Sequence, residues 1–206
     1  KRILSAILIL TLLLTLAALR IARGGGRRDY VLASLWLGLA IVTKWPFAIA
    51  WLSVAGAYGL LIARHKMRVG GAVRALAGFG LLTIAFVLLA SPYIVLDYPT
   101  LMMNLAGEAQ EHHLGATGRG FLSNAWWYLS VPIFNSLGWL GVVAAMGGAA
   151  ILVRHHDALA IVVPPVVVFF VLFCIQRLIW ERWALPLTPA LSIAAGMGLV
   201  CFHQFL

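Results

Sequence analysis

The stretch VLASLWLGLAIVTKWPFAIAWLSVAGAYGLLIA, residues 31–63, decides the fold. It is 33 residues long, and Lys44 is its only charged residue. As one straight helix it would extend roughly 50 Å, against a hydrocarbon core of about 30 Å. Either an ammonium crosses the middle of a bilayer, which is costly and marks a functional site, or the chain turns back. Pro46 has no backbone N–H and disfavours helix at Trp45, so a break at Thr43-Lys44-Trp45-Pro46 is expected.

The flanks favour the turn. Arg23, Arg27 and Arg28 precede the run, and Arg64, Lys66 and Arg68 follow it. Basic residues collect in short cytoplasmic loops, so both flanks belong on the cytoplasmic side. The run then becomes a hairpin of two short helices, with Lys44 at its extracytoplasmic tip. Arms of about 15 residues reach roughly 22 Å, short for a full crossing. A broken backbone at that depth needs protein or water around it, which places Lys44 in a polar cavity.

The rest of the 206-residue chain agrees. It is 63% hydrophobic and 10% charged, with a mean hydropathy of +1.01, where soluble domains are about 45–50% apolar and about 25% charged. The expected fold class is all-α: a polytopic transmembrane helical bundle forming one domain over 1–206. Seven apolar segments are legible: Ile3–Ile21, Val31–Val42, Phe47–Ala63, Ala75–Ala90, about Trp127–Val153, Ala158–Cys174 and Ala184–His203. Crossing them in order puts loops 20–30, 64–74 and 154–157 on one side, with nine of the fifteen Lys and Arg residues. Topology therefore explains the net charge of +9, and nucleic acid is not an expected partner. Pro164-Pro165 should kink the sixth segment, and small residues from Gly138 to Gly148 permit close packing in the fifth. Cys174 and Cys201 suggest neither a disulfide framework nor a metal site. A chain without an initiator Met, ending in apolar Phe205-Leu206, reads as a piece of a longer protein.

Three groups of polar residues gather on the expected extracytoplasmic face. Lys44 precedes a helix opened by Pro46, and the positive end of that helix beside an ammonium suits a phosphate or carboxylate. The bland alternative is a lysine snorkelling to the interface. The long polar stretch of about 91–125 carries Tyr93, Asp97, Glu108, Glu111, His112 and His113. A short helix over Pro99–His113 would set Glu108, Glu111 and His112 on one face, suited to hydrogen bonding a polar substrate. Carboxylate and imidazole at that spacing can also hold a divalent metal, but no closed ligand set is visible, so no cofactor is expected. The third group is Gln176-Arg177-Leu178-Ile179-Trp180-Glu181-Arg182-Trp183. Guanidinium forks bind phosphate, and tryptophans settle at membrane interfaces. An interface anchor with a Glu181–Arg182 pair is the plain alternative.

Taken in order, Gly38–Lys44, Ser91-Pro92-Tyr93 with its acidic, His-containing loop, and Arg182-Trp183-Ala184-Leu185-Pro186-Leu187-Thr188-Pro189 resemble one family. It is the polytopic GT-C glycosyltransferases that use polyprenyl-phosphate sugars, among them protein O-mannosyltransferases and the aminoarabinose transferase acting on lipid A. The resemblance covers nearly the whole chain. It implies a sugar moved from a polyprenyl-phosphate donor to a protein, lipid or glycan acceptor on the outer side of a bacterial inner membrane. It implies Lys44 as the contact to the donor phosphate, and it maps the family's arginine-tyrosine…leucine-proline block onto Arg182–Pro186, with Trp183 where Tyr is usual. His112 and His113 match loosely. The family's catalytic base, an acidic residue in the first outer loop, has no equivalent here and is expected upstream. Substrate-binding residues are then Lys44, Tyr93, Asp97, Glu108, His112, His113, Arg177 and Arg182, with Arg119 a lesser candidate. Departing phosphate would meet Lys44, Arg182 and a helix N-terminus in a low-dielectric pocket, while an apolar groove holds the lipid tail. Broken helices also mark transporters, so a flippase for an anionic amphiphile is the alternative, as is a non-catalytic membrane subunit.

Overall fold

The computed structural model describes residues 2–108, 112, 114 and 116–205. The chain divides into two compact units, one of residues 1–109 with 160–165, the other of 110–159 with 166–206. Among the described residues the only β pairing is an isolated bridge; the rest of the regular structure is helical.

The first unit is built on α1 (Arg2–Ala22), α2 (Arg27–Thr43), α3 (Trp51–Ala63) and α4 (Val69–Ala90). Both α1 and α4 pack against α2 and against α3. The ends define the directions. Ile7 of α1 meets Ala40 and Phe47, whereas the Arg64 guanidinium after α3 donates to the Ala22 carbonyl at 3.5 Å. The basic turns 23–26 and 64–68 therefore share one end of the unit, and Lys44 lies at the other. Tyr30 Oη donates to the Ala75 carbonyl at 2.8 Å, and Gly38 lies against Thr83 and Phe86, so α2 and α4 run parallel. The interior is made of Leu14, Ala18, Ile21, Ala33, Leu37, Val54, Ala57, Phe79 and their neighbours. Gly56 leaves room for the Ala160 carbonyl, which lies where a Cβ would be.

Several hydroxyls inside these helices are satisfied within their own ladders, as an apolar surround favours, whereas the buried Thr83 Oγ1 on α4 has no partner among the described residues. Thr11, Thr15 and Ser34 donate to carbonyls one turn back at 2.9, 2.8 and 3.0 Å. Ser130 and Ser136 of the second unit do the same at 2.7 and 2.6 Å.

The first unit also holds α5 (Tyr93–Leu96) and α6 (Tyr98–Glu108). In the second, α7 (Phe121–Tyr128) runs through a π turn at Leu129–Ile133 into α8 (Phe134–Leu152). Pro132 cannot donate to the ladder, which accounts for the widened turn. Next in the chain comes α9 (His156–Ile175), of which residues 160–165 belong to the first unit; it is helical throughout despite Pro164-Pro165. A 3₁₀ turn at Glu181–Ala184 then leads to α10 (Thr188–Phe205). Gly148 and Gly198 bring α8 and α10 into backbone contact, since a Cβ at either would overlap a carbonyl of the facing helix. Gly138 has another use from the packing expected of it: at φ 65° it breaks the helical path inside α8, a conformation that glycine adopts freely.

Among the described residues, four helical stretches are long and apolar enough to cross a membrane: Trp45–Ala63, Val69–Ala90, Phe121–Leu152 and His156–Ile175. Ile9–Ala22 and Thr188–His203 are shorter apolar helices. The second hairpin arm is thus 19 residues, not about 15, because a 3₁₀ turn at Trp45–Ala50 adds to α3.

Candidate functional site

Helix α2 stops at Thr43, and Lys44 is extended at φ −160°, ψ 109°. Its own N–H still donates to the Ala40 carbonyl at 2.9 Å, and its carbonyl accepts from Phe47 N–H at 3.0 Å. Lys44 is therefore both the last capping residue of one helix and the first of the 3₁₀ turn that Pro46 opens. Its side chain is half-buried, while Trp45 beside it is 69% exposed. Phe47 is buried and anchors the new turn.

Tyr93 and Asp97 lie at the same end of the first unit, since α4 runs parallel to α2 and they follow its C-terminus. Both are exposed, and Asp97 N–H donates to the Tyr93 carbonyl at 2.9 Å across one turn. The helix expected over Pro99–His113 does not extend to His112. Helix α6 is described through Glu108, and His112 is exposed and outside any helix. Glu111 and His113 lie outside the described residues, as does the side chain of Glu108. Among the described residues no three His, Cys, Asp or Glu side chains come together to hold a metal.

Arg177 and Arg182 belong to the second unit, on a clasp that the sequence did not reveal. Thr117 pairs with Leu178 in an antiparallel bridge. Gly118 N–H donates to the Arg177 carbonyl and Ile179 N–H to the Ala116 carbonyl, both at 2.7 Å. Behind the bridge stands Asn124, only 1% exposed. Its amide donates to the carbonyls of Cys174 and Gln176 at 3.0 Å each, and its oxygen accepts from Arg119 N–H at 3.1 Å. Trp180 N–H donates to the hydroxyl of Tyr128, which is fully buried, at 3.4 Å.

The clasp carries an aromatic floor. Phe173 stacks on Trp183 at 6.4 Å and Trp183 on Trp180 at 6.3 Å between ring centroids. The Arg182 guanidinium lies 3.9 Å above the Trp180 ring, a cation–π arrangement that holds its planar fork. Arg119, Arg177 and Arg182 are all exposed, and backbone pairing brings the segments of the first two together. Asn124 and Tyr128 were missed. The signal available was a lone Asn entering an apolar helix just after Gly118-Arg119-Gly120.

Compared with family models, with curated proteins and with solved structures, the chain finds no match in any of the three.

Proposed function

We propose that this chain is a membrane glycosyltransferase that moves a sugar from a polyprenyl-phosphate donor to an acceptor on the extracytoplasmic face of a bacterial inner membrane. The observation that carries the reading is Lys44, half-buried at a break between two apolar helices and followed by a proline-opened turn. An ammonium in such a place stabilises a departing phosphate far better than one in bulk water. Support of a second kind comes from Arg182, whose guanidinium is pre-oriented on Trp180 and suited to a phosphate fork. In the reaction the acceptor oxygen attacks the anomeric carbon and its proton passes to a general base. The bond from that carbon to the phosphate oxygen breaks, and polyprenyl phosphate leaves with the electron pair. Tyr93, Asp97 and Arg177 serve the polar parts of donor or acceptor, as would Glu108, His112 and His113 in the same outer loop.

The test measures release of polyprenyl phosphate from a donor sugar by the reconstituted protein, with Lys44→Gln and Arg182→Gln compared separately. Loss of one charge-assisted contact worth about 1.5–3 kcal/mol lowers kcat/KM by roughly 10- to 150-fold. Unchanged kcat/KM at limiting donor in both variants would remove the assignment.

A further inference from the structure

At the opposite end of the first unit, α3 and α1 finish in the same way but with different residues. After α1, Gly24 N–H donates to the Ile21 carbonyl at 3.0 Å and Gly25 N–H to the Arg20 carbonyl at 2.8 Å. After α3, His65 N–H donates to the Ile62 carbonyl and Lys66 N–H to the Leu61 carbonyl, both at 2.9 Å. Each is a Schellman turn whose pivotal residue takes a left-handed conformation. At α1 that residue is Gly24, at φ 92°, which adopts it without penalty. At α3 it is His65, at φ 56°, the only described non-glycine residue with positive φ. A strained histidine where the same chain elsewhere uses glycine calls for a reason beyond the turn.

The turn borders an open cavity of about 600 Å³ lined by Ile62, His65, Lys66, Met67, Arg68 and Val69. Some neighbouring cations have partners within the fold: Arg64 donates to the Ala22 carbonyl, Arg74 to the Gly70 carbonyl, and Arg20 pairs with Asp29 at 3.7 Å. Among the described residues the side chains of Lys66 and Arg68 have none. Helix α4 starts at Val69 without a side-chain cap; Gly71 and Ala72 N–H donate to the Arg68 carbonyl at 2.9 and 3.1 Å, which leaves the Val69 and Gly70 N–H groups at the start of the helix beside the same region. Val69 and Val73, one turn apart, are 61% and 59% exposed on the outside of α4, directly below. Cations and helix N–H groups at the mouth, with an apolar strip running away from them, match an amphiphile rather than a soluble anion.

We propose that the 64–69 turn binds an anionic phospholipid, its phosphate held by His65, Lys66, Arg68 and the start of α4, its acyl chain along Val69 and Val73. Basic loops face the cytoplasm, where the leaflet is rich in anionic lipid, so ligand and site share a side of the membrane. The site is independent of the sugar-transfer reading.

The test is lipid retention by the purified protein, read by native mass spectrometry after exchange into vesicles of phosphatidylglycerol or phosphatidylcholine. The wild type retains phosphatidylglycerol preferentially. The Lys66→Gln/Arg68→Gln double variant, both side chains being exposed, keeps its fold and binds phosphatidylglycerol about 30-fold more weakly, with phosphatidylcholine unaffected. His65→Gly separates a ligand role from a structural one: it raises the unfolding midpoint by relieving the positive φ, yet lowers phosphatidylglycerol retention. Equal retention of the two lipids overturns the proposal, as does a double variant that binds like wild type. Displacement of the lipid by excess inorganic phosphate also overturns it, because the site then takes the free anion.

Discussion

Replacing Asn124 with Ala removes three hydrogen bonds at 3.0–3.1 Å from a side chain that is 1% exposed. Each such bond contributes about 0.6 kcal/mol inside membrane proteins and about 1 kcal/mol in water. The sum is roughly 2–3 kcal/mol. A second variant reaches the same amide from the other side. A Cβ on Gly118 would lie 2.5 Å from Asn124 Oδ1 and 2.7 Å from Nδ2. Gly118→Ala must therefore push the amide aside or open the bridge to Arg177, and it costs about 1–3 kcal/mol. Once Asn124 is Ala the obstacle is gone, so the second substitution costs little. Reversible unfolding in mixed micelles, followed by tryptophan fluorescence, gives the four free energies of the cycle. The expected coupling exceeds 1 kcal/mol. Additivity within 0.5 kcal/mol, or an Asn124→Ala cost below that, would refute the view that this amide holds the clasp together.

Two further pairs of substitutions test the helix crossings. Gly148→Ala places a methyl onto the Ala194 carbonyl and should destabilise the α8–α10 contact by about 2 kcal/mol or more, whereas Gly147→Ala, 3.9 Å from its nearest neighbour, should change stability little; thermal unfolding in micelles compares them. Gly38→Ala meets Phe86 Cβ at 2.9 Å and the Thr83 carbonyl at 3.3 Å and should cost about 1–3 kcal/mol, while Gly80→Ala enters open space and should be neutral or stabilising by up to about 1 kcal/mol in the same assay.

The break at Lys44 was legible because one residue type forces it. Pro46 cannot continue the α2 ladder, and the basic flanks on either side demand a return to the same end. The clasp was illegible for the opposite reason. Thr117 and Leu178 lie 61 residues apart, in segments with no alternation of apolar and polar residues, and a single bridge needs none. Gly138 was misread because a glycine for close packing and a glycine for positive φ look alike in sequence; only the backbone separates them. Helical spacing placed His112 on one helix with Glu108, but spacing alone does not say where a helix stops, and His112 lies outside any helix. Lys44, Tyr93 and Asp97 do come to one end of the first unit, and Arg177 and Arg182 to one clasp in the second. The order of the sequence blocks anticipated the first grouping and gave no hint of the scaffold beneath the second.

In a chain that is 63% hydrophobic, apolar patterning cannot specify which helix faces meet. In lipid the tails are as apolar as leucine, and burial of apolar surface chooses no partner. Selection must come from shape and from polar groups that have only one place to be satisfied. The glycines supply the first: Gly38 admits α4, Gly56 admits the Ala160 backbone, and Gly148 with Gly198 lock α8 to α10. The polar groups supply the second. Tyr30 reaches a carbonyl on α4, and Asn124 ties two carbonyls at the end of α9 to the start of α7. The polar tie in the second unit sits where Arg177 leaves α9, so the interaction that fixes the fold there also fixes where the cations stand. A substitution that loosens the tie should therefore move the guanidiniums before it unfolds the helices, which is why the Asn124–Gly118 cycle reports on the site as well as on stability.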